Sequence, residues 1–240
     1  MRPLALPAGL WQRELSEFLH RPRSLAIKML FPLAVAVPLL HSSAPAFYAA
    51  LALTMVLATM APLGAGAVLA RERTSGLLVR YRLLPCRPLL VGMERLLASA
   101  GIDLIQVTPV LILLMLDHAG TEAWWPALWL GAAATLLVGN VLGALASTLS
   151  RSPGEVMLFV LLPTLPALYL AGIFTPFQDP VHLVIERLLP FSYLHAAILG
   201  SLAAPSQMTT STAALSALGY LAAAVVMSLL VGGRLIEADA

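Results

Sequence analysis

A single cysteine, Cys86, stands among 240 residues. No disulfide can form within the chain, and nothing near Cys86 offers metal-ligand spacing, so a reduced thiol is expected. Charge is scarce as well. Asp, Glu, Lys and Arg supply 11% of the residues, against about 25% in soluble domains, and no polar block is long enough for a separate soluble domain. Several chemistries are missing. There is no GxxxxGK[ST] phosphate loop, so the chain is not expected to bind ATP itself. HExxH, CxxC and GxSxG patterns do not occur, nor does a pair of intramembrane aspartates. The basic residues are not interleaved with aromatics as on a nucleic-acid surface, which argues against a nucleic-acid partner.

What the chain has is apolar length. Hydrophobic residues make up 60% of it and the mean hydropathy is +0.89. The pattern predicts one all-α membrane domain over 1–240, with six transmembrane helices at 25–41, 44–70, 88–117, 126–149, 156–175 and 208–232. Residues 1–24 place Trp11, Leu15, Phe18 and Leu19 on one face among basic residues, as an N-terminal interfacial helix would, with Pro22 ending it. The start of span one imitates a secretory leader through Ser43-Ala44-Pro45-Ala46, but it reads as a retained span in which Lys28 snorkels to the headgroups. Between spans five and six, 176–207 holds two apolar pieces too short to cross. They read as outer re-entrant or interfacial helices.

The stretch from Ala70 to Arg95 organises the rest. Arg71, Arg73, Arg80, Arg82, Arg87 and Arg95 lie here, six of the fourteen Lys+Arg residues. Each arginine costs about 2.5–3.5 kcal/mol at mid-membrane. Loop 71–87 therefore lies outside the hydrocarbon, and a short helix over 76–84 is expected within it. Thr74 or Ser75 would cap its start and Pro85 would end it. Leu77, Tyr81 and Leu84 share a face of that helix. Such a segment is either a topogenic loop or a docking surface for a cytosolic partner.

Within the spans, Asp103 lies about 12 Å deeper than Arg95 at the helical rise. It either hydrogen-bonds a neighbouring helix or forms a proton or cation site, with Gln106 and Thr108 one turn away. Asn140 sits inside Gly139-Asn140-Val141-Leu142-Gly143, whose glycines serve intrachain packing or a dimer seam. Met55, Thr59, Thr164 and Tyr169 are the soft or polar members of spans two and five, and serve packing or a substrate path. All five histidines are expected at or beyond the membrane edges, and His182 and Glu186 read as a solvated helix face. With both termini inside, thirteen of fourteen cationic side chains fall on the inner side and Arg187 alone lies outside, so both termini are expected to be cytoplasmic.

Two regions resemble a known family. Glu72, Ser75-Gly76-Leu77, Leu83-Leu84 and Pro85, followed by a new span, are similar to the intracellular loop of type-2 ATP-binding cassette permeases. The Gly172-Ile173-Phe174-Thr175-Pro176 exit from span five and Pro190-Phe191-Ser192-Tyr193 resemble a second signature of that family. The resemblance covers nearly the whole chain. It implies the membrane subunit of an exporter in the cell membrane, not itself an enzyme. Its partners would be a second permease subunit and a cytosolic ATPase that carries ATP and Mg, with no cofactor on this chain. It also implies that 76–84 is a coupling helix, with Glu72, Gly76, Leu77, Arg80, Tyr81 and Leu84 at the ATPase contact. Spans two and five would line a path for an amphipathic or lipid-like cargo such as a drug, lipid-linked glycan or peptide antibiotic. The chain departs from larger transporters in showing no large outer domain. The alternatives are a haem-exporter B-type permease, which Pro-Phe-Ser-Tyr fits less well, and a membrane enzyme or scaffold working without an ATPase.

Overall fold

A computed structural model describes residues 10–20, 22–42, 45–77, 88–117, 122–175, 179–204, 206 and 208–237. Among these the chain is all helical. In order, the helices are α1 Leu10–Leu19, α2 Pro22–Leu40, α3 Ala46–Thr74, α4 Pro88–Asp117, a 3-10 turn Glu122–Trp124, α5 Trp125–Leu149, α6 Pro153–Leu170, α7 Pro180–Arg187, α8 Pro190–Ser201 and α9 Thr210–Glu237.

Five of these helices, α3, α4, α5, α6 and α9, are long and apolar enough to cross a membrane. The bent pair α7–α8 would make a sixth if its two arms formed one span. The multi-pass reading stands. The expected first span is the shortest, since the apolar part of α2 is Ala26–Leu40. Those residues rise only about 22 Å, so crossing about 30 Å of hydrocarbon needs the first turns of α2 and a snorkelling Lys28. The fifth expected span ends early. Helix α6 stops at Leu170, and the turn after it carries Gly172 at φ +70°. Only glycine takes that conformation at no steric cost.

Helix α5 is the centre of the bundle. It packs against α3, α9, α8, α4 and α6. Small residues allow this. A Cβ at Gly143 would stand 2.4 Å from the Pro62 carbonyl oxygen, and one at Gly139 would stand 2.8 Å from Pro62 Cδ. The GxxxG pattern therefore serves intrachain packing of α5 on α3, and a dimer seam on that face is excluded by its burial. A second crossing, at the end of the bundle that carries the basic loop (hereafter the inner end), brings Gly92 of α4 onto Gly232 of α9, where an added Cβ would meet backbone at 2.3–2.5 Å. Around α5 sits a core of Leu53, Leu57, Leu111, Leu128, Leu136 and Leu194. Helix α1 lies against α4, with the Trp11 ring in the space that Gly101 leaves open.

The inner clamp, the membrane-core polar residues and the outer bend

Three polar regions punctuate this apolar bundle. The first closes the inner ends of α3, α4 and α5. Glu72, on the last turn of α3, accepts from Arg95 of α4 at 2.9 Å through Nη2 and 3.3 Å through Nε. The two side chains are 12% and 5% exposed, so little water screens them. One turn position on, Arg73 donates through Nη1 to the carbonyls of Ser147, Thr148 and Ser150 at 3.2, 3.1 and 3.4 Å. These belong to the end of α5, where helix carbonyls lack intrahelical donors and the helix dipole favours a cation. Glu72 and Arg73 thus tie α3 to two different helices.

Thr74 and Ser75, the expected caps of the loop helix, donate their hydroxyls backward to the carbonyls of Arg71 and Glu72, both at 3.0 Å, at the end of α3. Most of the expected helix over 76–84 lies outside the described residues. Gly76 then takes φ +71°, the left-handed joint common after a helix end. Leu77 is half-buried beside Leu69, Val91, Leu96 and Val231, so it faces the bundle. Arg80, Tyr81 and Leu84 lie outside the described residues. The next inner turn is built by a capping box. Ser152 accepts from the Glu155 N–H at 3.3 Å, and the Glu155 carboxylate accepts from the Arg151 N–H at 2.6 Å.

The second region lies inside the spans. Asn140 of α5 donates to the Asp103 carboxylate at 2.8 Å and to the Leu136 carbonyl at 2.9 Å. Both residues are buried, at 0% and 7% exposure. Gln106 and Thr135 are also buried, with side-chain polar atoms that have no partner. The four path candidates do not gather at one point. Met55 is half-buried against Ala58, Leu168 and Ile173. The Thr59 hydroxyl is turned back onto the Met55 carbonyl at 2.7 Å. Thr164 is buried with its hydroxyl unmatched. Tyr169 is 51% exposed, with its ring 6.5 Å from that of Phe174. Helices α3 and α6, which carry all four, pack directly on one another.

The third region is the α7–α8 bend that follows the far end of α6, hereafter the outer bend. Helices α7 and α8 meet at 91°. Ser192 Oγ donates to the Glu186 carbonyl at 2.8 Å, while Tyr193 and Tyr220 hydroxyls both donate to the Arg187 carbonyl, at 2.5 and 3.2 Å. The Ser-Tyr pair of the sequence motif therefore satisfies carbonyls that the end of α7 leaves open. Asp179 caps the start of α7. Its hydrogen bonds from the His182 ring and backbone hold its carboxyl below the usual carboxylate range. Glu186 does not share a solvated face with His182. It is buried at 9% exposure against Gly172, where an added Cβ would meet its carboxylate at 3.1 Å.

His195 was missed by sequence reasoning. It is 7% exposed, 3.3 Å from the Thr54 hydroxyl and edge-on to Phe47. Its position three residues after Ser192, on a helix too short to span, carried no periodic signal.

A family model, the ABC-2 family transporter protein, matches residues 40–234. That match runs from the end of α2 to the end of α9 and includes all three polar regions. The chain belongs to the ABC-2 transporter family. A search of curated proteins and a search of solved structures each returned no match. The ABC-2 assignment makes this chain the multi-pass membrane subunit of an ABC transporter. It also gives a frame for the inner clamp, which sits where the two spans flanking the basic loop leave the bundle.

Proposed function

We propose that this permease is the translocating subunit of an ATP-driven exporter. In that reading two such subunits pair, as a homodimer or heterodimer, and a cytosolic ATPase with its ATP and Mg seats against loop 71–87. Both termini lie in the cytoplasm. Closure of the ATPases pushes the loop, and the push moves α3, α4 and α5 together. The observation that carries the reading is the inner clamp: the Glu72–Arg95 pair and Arg73 on the α5 terminus join the base of the loop to three helices at once. A loosely attached loop would absorb the motion.

Cargo would pass beside α3 and α6, where Met55, Thr59, Thr164 and Tyr169 lie. The outward face of α6 supports an amphipathic or lipid-like cargo. Leu158, Leu162 and Leu165 line an open groove of about 920 Å³ there, with Arg151 and Glu155 at its inner end. The double variant Arg80→Glu with Tyr81→Ala, reconstituted with its ATPase, is expected to abolish cargo-stimulated ATP hydrolysis while leaving thermal unfolding of the permease unchanged. Transport at the original rate in that variant would remove the docking role.

A further inference from the structure

The groove on the outward face of α6 changes character along its length. Leu158, Leu162 and Leu165, with Leu149 from the end of α5, form its wall, and Leu149, Leu158 and Leu162 are 71%, 70% and 77% exposed. Charge enters at one end only, where Arg151 and Glu155 flank the groove at the start of α6. The Glu155 carboxylate holds the backbone N–H of Arg151 through Oε2, so the turn is closed without the guanidinium, and Arg151 is exposed at the groove mouth. That mouth is at the inner end, since Arg73 at the base of the basic loop reaches the Ser150 carbonyl beside it. From Glu155 to Pro166 the groove runs about 16 Å at the helical rise. One leaflet of hydrocarbon is about 15 Å deep, half of the core thickness. The groove therefore has the length of one acyl layer, with its charged end at headgroup level.

We propose that this groove binds a phospholipid of the adjoining leaflet whose headgroup carries both a phosphate and a primary ammonium, as phosphatidylethanolamine does. An acyl chain lies along Leu158, Leu162 and Leu165. The Arg151 guanidinium donates to the phosphate, whose oxygens match its planar fork. The Glu155 carboxylate accepts from the ammonium. The two side chains decide the headgroup by charge complementarity. One cation beside one anion pairs with a headgroup that carries one of each. A headgroup with net negative charge would meet the Glu155 carboxylate with nothing to offset it, and a quaternary ammonium has no N–H to donate. An unselective lipid-facing wall needs neither a recess nor a charge pair at its mouth. The proposal names a cargo class for the exporter reading and rests on that reading only for what happens to the lipid after it binds.

The test uses the purified full chain in detergent. Phosphatidylethanolamine, phosphatidylcholine or phosphatidylglycerol with the same acyl chains is titrated in, and native mass spectrometry counts lipid adducts on monomer and dimer. No ATPase is present, so failure of the coupling reading leaves this result intact, and failure here leaves coupling through the basic loop standing. Phosphatidylethanolamine is expected to bind about three to ten times more tightly than the other two, as two partly exposed charge contacts allow. Arg151→Gln keeps the backbone N–H that Glu155 holds and is expected to abolish the preference. Glu155→Gln keeps an acceptor for that N–H and leaves Arg151 as the one charge at the mouth, so it is expected to switch the preference to phosphatidylglycerol. A fault in folding would not produce that switch. Equal binding of the three lipids by the unmodified chain overturns the proposal, and so does a phosphatidylethanolamine preference that survives both variants. Leu162→Arg, which places charge on the apolar wall, is expected to lower adducts of every lipid. Loss of the dimer in Leu162→Arg with lipid adducts unchanged also overturns the proposal and gives the groove to a second copy of the chain.

Discussion

The inner clamp and the Asp103–Asn140 pair are both polar contacts between helices, yet they are finished differently. In the clamp, Glu72 and the Arg95 guanidinium meet through two hydrogen bonds, and Arg73 donates to three carbonyls at the end of α5. About 12 Å further along α4 at helical rise, Asp103 has Asn140, but Gln106 has no partner at either end of its amide among the described residues. A satisfied network in a low dielectric is stiff, because any displacement breaks bonds that water does not replace. By that measure the ends of α3, α4 and α5 next to the basic loop are the stiffer of the two levels.

Breaking the clamp should have the largest effect. Glu72→Ala removes the carboxylate from a buried Arg95 charge, and is expected to cost about 3 kcal/mol. A Tm drop of about 6–12 °C, by fluorescence-detected unfolding in detergent, is the corresponding reading. Replacing both partners, Glu72→Gln with Arg95→Met, is expected to recover most of that loss in stability while coupling to the ATPase stays impaired. Equal losses in the single and double variants would show that the pair is not the stiffening element. Gln106 should behave in the opposite sense. Gln106→Leu removes two unmatched polar atoms at similar volume, so it is expected to raise stability by about 1–3 kcal/mol. A fall in Tm would mean that water already satisfies Gln106, and the contrast with the clamp would weaken. Arg73→Gln is the mildest of the three. It keeps a donor but loses the charge at the α5 terminus, costing about 1 kcal/mol, and slowed transport with little change in Tm is the expected pattern.

The legible part of the fold was its lengths. Spans two, three, four and six were read within a few residues of α3, α4, α5 and α9, because a hydrocarbon slab sets a minimum run of apolar residues and arginine marks where it stops. Two short outer helices were also legible from their prolines, since Pro180 and Pro190 each open one. The sites were less so. Thr74 and Ser75 look the same in sequence whether they start the next helix or close the last one. The structure adds the left-handed turn at Gly76 and the hydroxyl bonds back to α3. Glu186 looks like half of a solvated His–Glu pair until Gly172 folds over it.

Sequence alone pointed to a multi-pass, all-helical membrane chain, with six spans expected where the structure has five helices, or up to six, long and apolar enough to cross. Those follow from transfer free energies, which are summed along the chain and need no knowledge of neighbours. Tertiary structure decided which polar residue meets which. Glu72 finds Arg95 across 23 positions, Arg73 finds the end of α5, Asn140 finds Asp103 across 37, and Thr54 finds His195 across 141. Pairings at such separations depend on how helices cross, and here glycines set the crossings: Gly143 on Pro62 and Gly92 on Gly232 bring backbones close enough to fix which side chains face one another.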